Sequence, residues 1–326
     1  IADFNNDGLL DIVQADMTAN DNRRSKANMA SMNPQLFWST VNSGFHVQYM
    51  QNSLQMNNGN LLDSLPDFSN VTRLAGVSST DWSWGPLMAD LHNDGWKDLF
   101  ISNGTRREIN NRDYFLAWEA EGRPMDNLLQ RSLDIPSEPI DNFVYRNTGD
   151  LRFEQVNESW GIVKEGFSNG AVYVDLDNDG DLEIVINNLD DTASLFENKG
   201  NGNHFVQLSL NGPEKNPNGL GTRVYLYANG QKQMQELTLS RGFQSAVSPK
   251  LHFGLGSNSV VDTLKIIWPD GKKEIRTNLE ADKLMSINYQ DATLLSEPSG
   301  QQEETQFDSE DNSLAGMQFQ HQENYY

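Results

Sequence analysis

The sequence has no cysteine and is poor in basic residues, and both shortages narrow the chemistry available to it. Without cysteine there is no disulfide framework, no thiolate metal site and no cysteine nucleophile. The 326 residues carry 46 acidic but only 24 basic side chains, which gives a formal net charge of −22. Because nucleic-acid phosphates would repel such a chain, we predict that nucleic acid is not a partner.

Long apolar runs and the common catalytic motifs are also missing. No apolar stretch approaches the ~20 residues that cross a bilayer, so we predict no transmembrane segment in this chain. The histidines show no HExxH or other zinc spacing, and the sequence has neither a GxSxG elbow nor a P-loop. No signal peptide is visible. These absences predict a protein that is not an enzyme.

The sequence does contain a dense acidic stretch, Asp175-Leu-Asp-Asn-Asp-Gly-Asp-Leu-Glu183. Alternate side chains of a tight loop point inward together, and the glycine at position six permits the sharp turn. Clustered carboxylates repel one another unless a hard cation lies among them. Because oxygen-only ligands at this density suit Ca²⁺ better than Mg²⁺, the stretch predicts a calcium site.

Two further stretches share this form, and their first aspartates are Asp3 and Asp90. An Asx-rich turn would also use Asp, Asn and Gly, but three copies of one spacing favour metal. They also predict three copies of one structural unit. The predicted ligands are the side chains at positions one, three, five and nine and the carbonyl at position seven: Asp3, Asn5, Asp7, Leu9 and Asp11; Asp90, His92, Asp94, Trp96 and Asp98; Asp175, Asp177, Asp179, Asp181 and Glu183.

The second of these loops departs from the pattern because His92 occupies position three. Imidazole nitrogen is a poor ligand for Ca²⁺, so His92 is expected to point outward and leave a water in its place. The third loop has one more carboxylate than the second. We therefore predict that the second loop binds calcium more weakly than the third.

Short strand-like runs surround the loops, at about four per unit, which is typical of a propeller blade. With their D-x-D-x-D-G-x-x-D form, the loops resemble the calcium loops of FG-GAP/VCBS repeats in integrin-type β-propellers. The resemblance covers residues 1–200 and implies calcium-loaded blades. Since the repeats are too few to close a propeller, and the sequence opens inside a loop, we expect a piece of a longer protein.

Residues 201–290 have a different character, with N-G-L-G-T-R-V at 218–224, L-H-F-G-L-G at 251–256 and W-P-D-G at 268–271. They resemble the ASPIC/UnbV domain, which follows such repeats in bacterial surface proteins, and this implies a small β-sandwich. Residues 291–326 are predicted to be an acidic, polar linker and the start of a further repeat module. The predicted fold class is all-β.

Two insertions concentrate positive charge in this acidic chain, at 17–34 and 105–140, and each is predicted to hold short helical segments. Inserted loops often carry binding residues, so we predict a partner surface there. The residues concerned are Arg23, Arg24, Lys26, Arg106, Arg107 and Arg112. Four tryptophans, which are Trp82, Trp84, Trp96 and Trp118, suggest either a sugar-stacking platform or core packing, and packing is favoured.

Together these features predict a calcium-binding protein of the extracellular space or outer cell surface. It would bind a protein or glycan, or act as a scaffold, without catalysis. The alternative is an accessory protein or enzyme that processes polysaccharides in a surface uptake system. Calcium is expected to stabilise the repeats, whereas residues 203–290 have no such loop and are expected to unfold independently of calcium.

Overall fold

The computed structural model describes residues 1–28, 34–47, 49–60, 65–122 and 126–294. Strands account for 39% of the chain and helices for 14%. The structure is mostly β, which is consistent with the predicted all-β class. Residues Ile1–Thr293 form one compact unit, and the predicted boundary at 200 lies inside it. Most of the predicted linker and all of the further repeat module lie outside the described residues.

Twenty strands form six sheets in the described chain. The strands are β1 (Ile12–Gln14), β2 (Met17–Thr18), β3 (Ser53–Asn57), β4 (Phe68–Asn70), β5 (Asp81–Ala89), β6 (Asp98–Asn103), β7 (Phe143–Asn147), β8 (Phe153–Gln155), β9 (Ser168–Val174), β10 (Glu183–Asn188), β11 (Ser194–Phe196), β12 (His204–Asn211), β13 (Arg223–Ala228), β14 (Gln231–Glu236), β15 (Ser240–Arg241), β16 (Ser245–Ala246), β17 (Lys250–Gly256), β18 (Val260–Ile267), β19 (Lys273–Glu280) and β20 (Lys283–Asn288).

The helices are short, and the longest have nine residues. They are α1 (Asn22–Ala27), α2 (Pro34–Asn42), α3 (Thr72–Ala75), α4 (Arg112–Ala120), α5 (Leu128–Leu133) and α6 (Asn157–Trp160), followed by a 3-10 turn at Tyr289–Asp291. Within the described ranges no helix is long and apolar enough to cross a membrane. Helices α1, α4 and α5 lie in the two insertions, where the sequence predicts short helices.

Residues 1–200, which we call the repeat region, contain three antiparallel sheets. Their strand orders are β1-β3-β4, β2-β5-β6-β7-β8 and β11-β10-β9. The second acidic loop joins β5 to β6 and the third joins β9 to β10, so both connect antiparallel strands, as their flanking residues predict. The first loop precedes β1 and is closed by a bridge between Ala2 and Asp11.

A short helix that ends at a glycine recurs in the first two sheets of the repeat region. Helix α3 follows β4 and α6 follows β8, and each ends at a glycine in the left-handed conformation, Gly76 and Gly161. Both helices come shortly before the strand that leads into the next acidic loop. The repeat seen in the sequence is therefore also a repeat of structural elements.

The middle sheet of the repeat region is buried on both sides through β6. Side chains of a strand alternate between faces. Leu99 and Ile101 enter a core shared with Phe4 and Leu54 of the first unit, whereas Phe100 enters a core shared with third-unit residues such as Ile184. Consecutive units therefore bury apolar surface against each other. Their arrangement as propeller blades stays a prediction.

Residues 204–293, which we call the sheet pair, contain the sheets β17-β12-β20 and β14-β13-β18-β19. Both sheets contribute to one apolar core: Val206 and Leu208 come from β12, Leu226 from β13 and Ile266 from β18. The fully buried Trp268 follows β18 in the same core. Strands β12 and β20 pair in parallel, whereas the other pairs are antiparallel.

The four tryptophans considered for a sugar-stacking platform, Trp82, Trp84, Trp96 and Trp118, are partly buried. Trp84 packs against Phe243, with 4.8 Å between ring centroids, and its Nε1 donates to the carbonyl of Gly104. These contacts favour core packing over a sugar-stacking platform.

Replacing Ile101 by alanine should destabilise the protein by about 2–5 kcal/mol, because it leaves a cavity between the first two units. Ile101 is fully buried, whereas Ile109 is 56% exposed, so Ile109→Ala is the matched control and should change little. Denaturant unfolding of the two variants checks this. Equal losses of stability would show that β6 is not at the centre of the packing.

Candidate metal centres

The three acidic loops adopt one backbone conformation. Position four is an asparagine with φ near 60° and position six a glycine with φ near 90°. In every loop the glycine N–H donates to Oδ2 of the aspartate at position one: Gly8 to Asp3 at 2.9 Å, Gly95 to Asp90 at 2.8 Å and Gly180 to Asp175 at 3.2 Å. A left-handed backbone favours glycine, so the glycine both forms the turn and fixes the first aspartate.

The carboxylate at position nine lies deepest in each loop: Asp11 and Asp98 are fully buried and Glu183 is nearly so. Each accepts the N–H of position two. In the first and second loops the other oxygen also has a donor, from the N–H of Asn57 and of Asn147 respectively. At the third loop the corresponding backbone N–H, that of Asn198, lowers the pKa of Glu183 but makes no hydrogen bond of normal geometry to Oε1. Among the described residues, this buried oxygen therefore has no hydrogen-bond partner of normal geometry.

The third loop has the donor set that best fits a calcium ion. Carboxylate oxygens of Asp175, Asp177 and Glu183 lie within 4.8 Å of one another. Two oxygens bound to one Ca²⁺ at 2.3–2.6 Å can be no more than about 5 Å apart, so the spacing is suitable. Oδ1 of Asp175 is also buried without a donor. Burial raises the pKa of Glu183, and the charges of Asp177 and Asp179 raise it further.

The first loop buries Asp3 and Asp11 but does not bring three carboxylates together. Within the described residues, Asp3, Asp7 and Asp11 do not form such a group. The neutral Asn5 donates to Asp7 at 2.9 Å. Burial raises the pKa of Asp3 to about 7 and that of Asp11 to about 6, although backbone N–H groups oppose both shifts. These two carboxylates are therefore poorly neutralised.

The second loop contains a cationic group of its own. His92 points inward, with Nε2 2.7 Å from Asp94 and Nδ1 2.8 Å from Asp98, which corrects the expected outward orientation. Burial lowers the pKa of His92, but the hydrogen bonds to these two carboxylates outweigh it and raise the pKa to about 10. The two carboxylates attract the ring. At neutral pH an imidazolium thus joins positions five and nine.

A buried lysine lies beside the carboxylates of the second loop. Lys97 is 5% exposed, and its Nζ has no hydrogen-bond partner among the described residues and lies 5.9 Å from the centroid of the Phe253 ring. Burial lowers the pKa of Lys97, and Asp90 and Asp3 oppose that shift. The equivalent residues of the other loops are Leu10 and Leu182. A lysine at a position that is leucine in the other two loops was the sequence signal for this buried residue, and the sequence analysis did not use it.

The loops are joined in series by the asparagine at position four. Asn6 Nδ2 donates to the carbonyl of Gly95, and Asn93 Nδ2 donates to that of Gly180, both at 3.0 Å. Asn93 also donates to Asp181 Oδ1 at 2.8 Å. The second and third loops are therefore each braced by the preceding loop. The carbonyls of Leu9, Trp96 and Asp181 stay predicted ligands.

The predicted partner surface needs one correction. Arg24 is buried, and its guanidinium binds Asp81 and Glu108 at 2.6 Å and Glu138 at 2.9 Å. It therefore organises the first insertion instead of facing a partner, because three carboxylates provide the charge that its burial requires.

The other proposed partner residues are exposed or half-buried: Arg23 pairs with Glu138, Arg106 pairs with Asp190, Arg107 donates to the Ile135 carbonyl, and Lys26 and Arg112 are exposed.

A cleft of about 710 Å³ opens beside the second and third loops. Its lining includes His92 and Asp181 from the loops and the apolar side chains of Trp160, Ile162 and Phe196. The ring centroids of Trp160 and His92 are 5.3 Å apart. The cleft thus combines an aromatic wall with charged groups of two candidate metal loops.

Residues 212–294 match the family model described as ASPIC and UnbV. The sheet pair contains an ASPIC/UnbV domain. The match includes the three sequence elements at 218–224, 251–256 and 268–271, so the predicted resemblance is confirmed for this part of the chain. Assignment of the repeat region to FG-GAP/VCBS repeats stays a prediction.

The chain is also distantly similar to cartilage acidic protein 1. It is 23% identical to the Homo sapiens protein over 250 residues, which covers 66% of this chain and 38% of that protein. It is 26% identical to the Mus musculus protein over 239 residues, covering 63% and 37%. The aligned part is longer than the ASPIC/UnbV domain and so includes residues of the repeat region. The chain spans less than two fifths of the length of these relatives.

Changing His92 to aspartate should strengthen calcium binding at the second loop by about tenfold, or about 1.4 kcal/mol. The change removes the imidazolium and restores an oxygen ligand at position three. Calcium titration calorimetry measures it, with His46→Asp as control because His46 is an exposed histidine elsewhere in the chain. An unchanged affinity in His92→Asp would mean that His92 does not compete with an ion there.

Asp3 predicts a pH dependence of the calcium-free protein. Its folded-state pKa of about 7 lies above the unfolded value of about 3.9, so its buried charge lowers stability as the pH rises through 7. With chelator present, the stability of Asp3→Asn is compared with that of the unsubstituted protein at each pH. This difference should fall by on the order of 1 kcal/mol between pH 8 and pH 6, because protonation of Asp3 stabilises the unsubstituted protein. Thermal melts of both proteins at each pH test this, and a pH-independent difference would refute it.

Proposed function

We propose that this chain is a calcium-binding, non-catalytic binding or scaffold protein of the extracellular space or outer cell surface. The observation that carries the proposal is Glu183, which is 3% exposed and whose Oε1 has no hydrogen bond of normal geometry within the described residues. Leaving such an oxygen buried and unpaired is costly. A cation held between Glu183, Asp175 and Asp177 would supply the missing partner.

The donor chemistry favours calcium among the common metal ions. The third loop offers carboxylate and carbonyl oxygens without sulfur or nitrogen, which selects hard cations. Its several carboxylates exceed the one or two that Mg²⁺ uses in most sites. When bound, the ion would supply positive charge that holds β9, the loop and β10 together. Asp175, Asp177, Asp179 and Glu183 would hold it through side chains and Asp181 through its carbonyl.

We further propose that the repeat region consists of FG-GAP/VCBS-type propeller blades. The support is the stacking of three consecutive sheets on two shared cores, with β6 between them. In a propeller, neighbouring blades pack face to face in this way around an axis. The series of hydrogen bonds from Asn6 to Gly95 and from Asn93 to Gly180 gives each pair of neighbours the same relation.

An extracellular location suits both the loops and the relatives. Loops that need a bound cation for stability are most stable where the concentration of calcium is high. The chain also resembles a protein whose name places it in cartilage. A scaffold role accords with these loops because carboxylates engaged by calcium and by backbone N–H groups are poor proton donors and acceptors. The partner would be a protein or glycan, for which the cleft beside Trp160 offers an aromatic surface.

The proposal is tested by titrating calcium into the protein and its Glu183→Gln variant. Because a neutral amide replaces the buried carboxylate, the third-loop affinity should fall by about tenfold or more, equivalent to about 1.4 kcal/mol. Glu165→Gln, at an exposed glutamate, is the matched control and should not change it. Magnesium in place of calcium should bind more weakly.

The same experiment includes a thermal melt with excess chelator. Calcium at a hundred times its dissociation constant adds about 2.7 kcal/mol per site, so chelation should lower the melting temperature markedly. If the unsubstituted protein takes up no calcium, and its melt is unchanged by chelator, the acidic loops are turns and the proposed function is wrong.

A further inference from the structure

The sheet pair packs directly over all three acidic loops. The glycine at position six of each loop faces it: Gly8 faces Lys232, Gly95 faces Gln233, and Gly180 faces Phe205. A Cβ atom at Gly180 would overlap the Phe205 ring, and one at Gly8 would overlap the Lys232 ammonium group. Lys232 and Gln233 lie on β14 and Phe205 lies on β12. The loops thus form an interface with the ASPIC/UnbV part of the chain.

Polar groups of the sheet pair reach predicted ligand residues in this interface. Gln207 Nε2 donates to Asp175 Oδ2 at 2.6 Å, and the N–H of Gly254 donates to Asp90 Oδ2 at 3.1 Å. Lys232 Nζ donates to the carbonyl of Asp7 at 2.9 Å. All three loops therefore receive a hydrogen bond from the sheet pair, and in two of them the acceptor is the aspartate at position one.

At the third loop this contact determines which oxygen is left for an ion. Oδ2 of Asp175 accepts both the Gly180 N–H, at 3.2 Å, and the Gln207 amide, at 2.6 Å. Oδ1 of the same carboxylate is buried and has no donor. With one oxygen held by two donors, the carboxylate cannot rotate freely. A carboxylate oxygen of Asp175 lies within 4.8 Å of carboxylate oxygens of Asp177 and Glu183, and Oδ1 is the oxygen left available for an ion.

Gln207 is itself held in place by the second loop. Its side chain is 3% exposed, and its Nε2 lies 3.4 Å from Nδ1 of His252. Nε2 of His252 lies 2.6 Å from Oδ1 of Asn93, in the second loop. If the neutral ring carries its proton on Nε2, it donates to Asn93 and accepts from Gln207. A continuous polar path then runs from Asn93 through the sheet pair to Asp175.

We propose that Gln207 is a positioning residue for the third calcium site and that calcium binding there is coupled to docking of the sheet pair. The inference rests on the proposed function, since it deepens the same site. Coupling is reciprocal, so calcium strengthens docking by the factor by which docking raises calcium affinity. It replaces the expectation that residues 203–290 unfold independently of calcium, because that expectation treated them as having no contact with the loops.

The test compares Gln207→Met with Gln233→Met in the whole chain. Methionine keeps the length of the side chain but removes the amide donor. Gln233 is equally buried in the same interface, where it faces Gly95 of the second loop, and its amide donates to the Gly254 carbonyl at 2.7 Å without touching a third-loop ligand; it therefore controls for a change in the interface away from the third site. Titration calorimetry, with Glu183→Gln identifying the third-loop component, should show about a tenfold weaker third site in Gln207→Met and less than a twofold change in Gln233→Met.

A second measurement keeps the test valid if either variant loses stability. Hydrogen exchange of the β12 amides should slow when calcium is added to the unsubstituted protein, and this protection should be smaller in Gln207→Met than in Gln233→Met. If Glu183→Gln weakens the third site but Gln207→Met leaves affinity and β12 protection unchanged, the coupling is refuted and calcium binding stands. If the unsubstituted protein binds no calcium, both proposals fail.

Discussion

Negative charge buried in three short loops is the constraint to which the surrounding structure responds. Asp3, Asp11, Asp90, Asp98 and Glu183 all lie almost completely out of solvent. A carboxylate in such a place needs donors, a cation or a proton. Backbone N–H groups at positions two and six supply donors in every loop, but they leave most of the charge to be neutralised in another way.

The loops resolve this problem differently, although they share one backbone. The second loop carries its own cation, His92, between two carboxylates, and Lys97 lies buried nearby. The third loop has no internal cation among its nine residues, and two of its buried carboxylate oxygens, on Asp175 and Glu183, make no hydrogen bond of normal geometry to any described residue. The repeated motif therefore fixes the conformation of the turn. The side chains at positions three, eight and nine determine how much of the negative charge is left for an ion to neutralise.

The sequence predicted what depends on residues close together in the chain. The glycine turn and the strands on either side of the second and third loops follow from nine-residue patterns. The entry of Leu99 and Phe100 into opposite cores follows from a strand's period of two. Charge alone could not show that Arg24 is buried, because its partners Asp81 and Glu108 lie far along the chain. The contact of Gln207 with Asp175 was missed for the same reason.

Two glycines, Gly180 in the third loop and Gly254 in the sheet pair, show how closely these two parts of the chain pack. At Gly180 a positive φ already favours glycine, and the Phe205 ring occupies the space beside it. Gly254, within L-H-F-G-L-G, has no positive φ, so its backbone conformation does not require glycine. A Cβ atom there would overlap Asp90 and the Asn93 backbone. Its N–H instead approaches closely enough to donate to Asp90, and the absence of a side chain at that position is explained by the loop against which it packs.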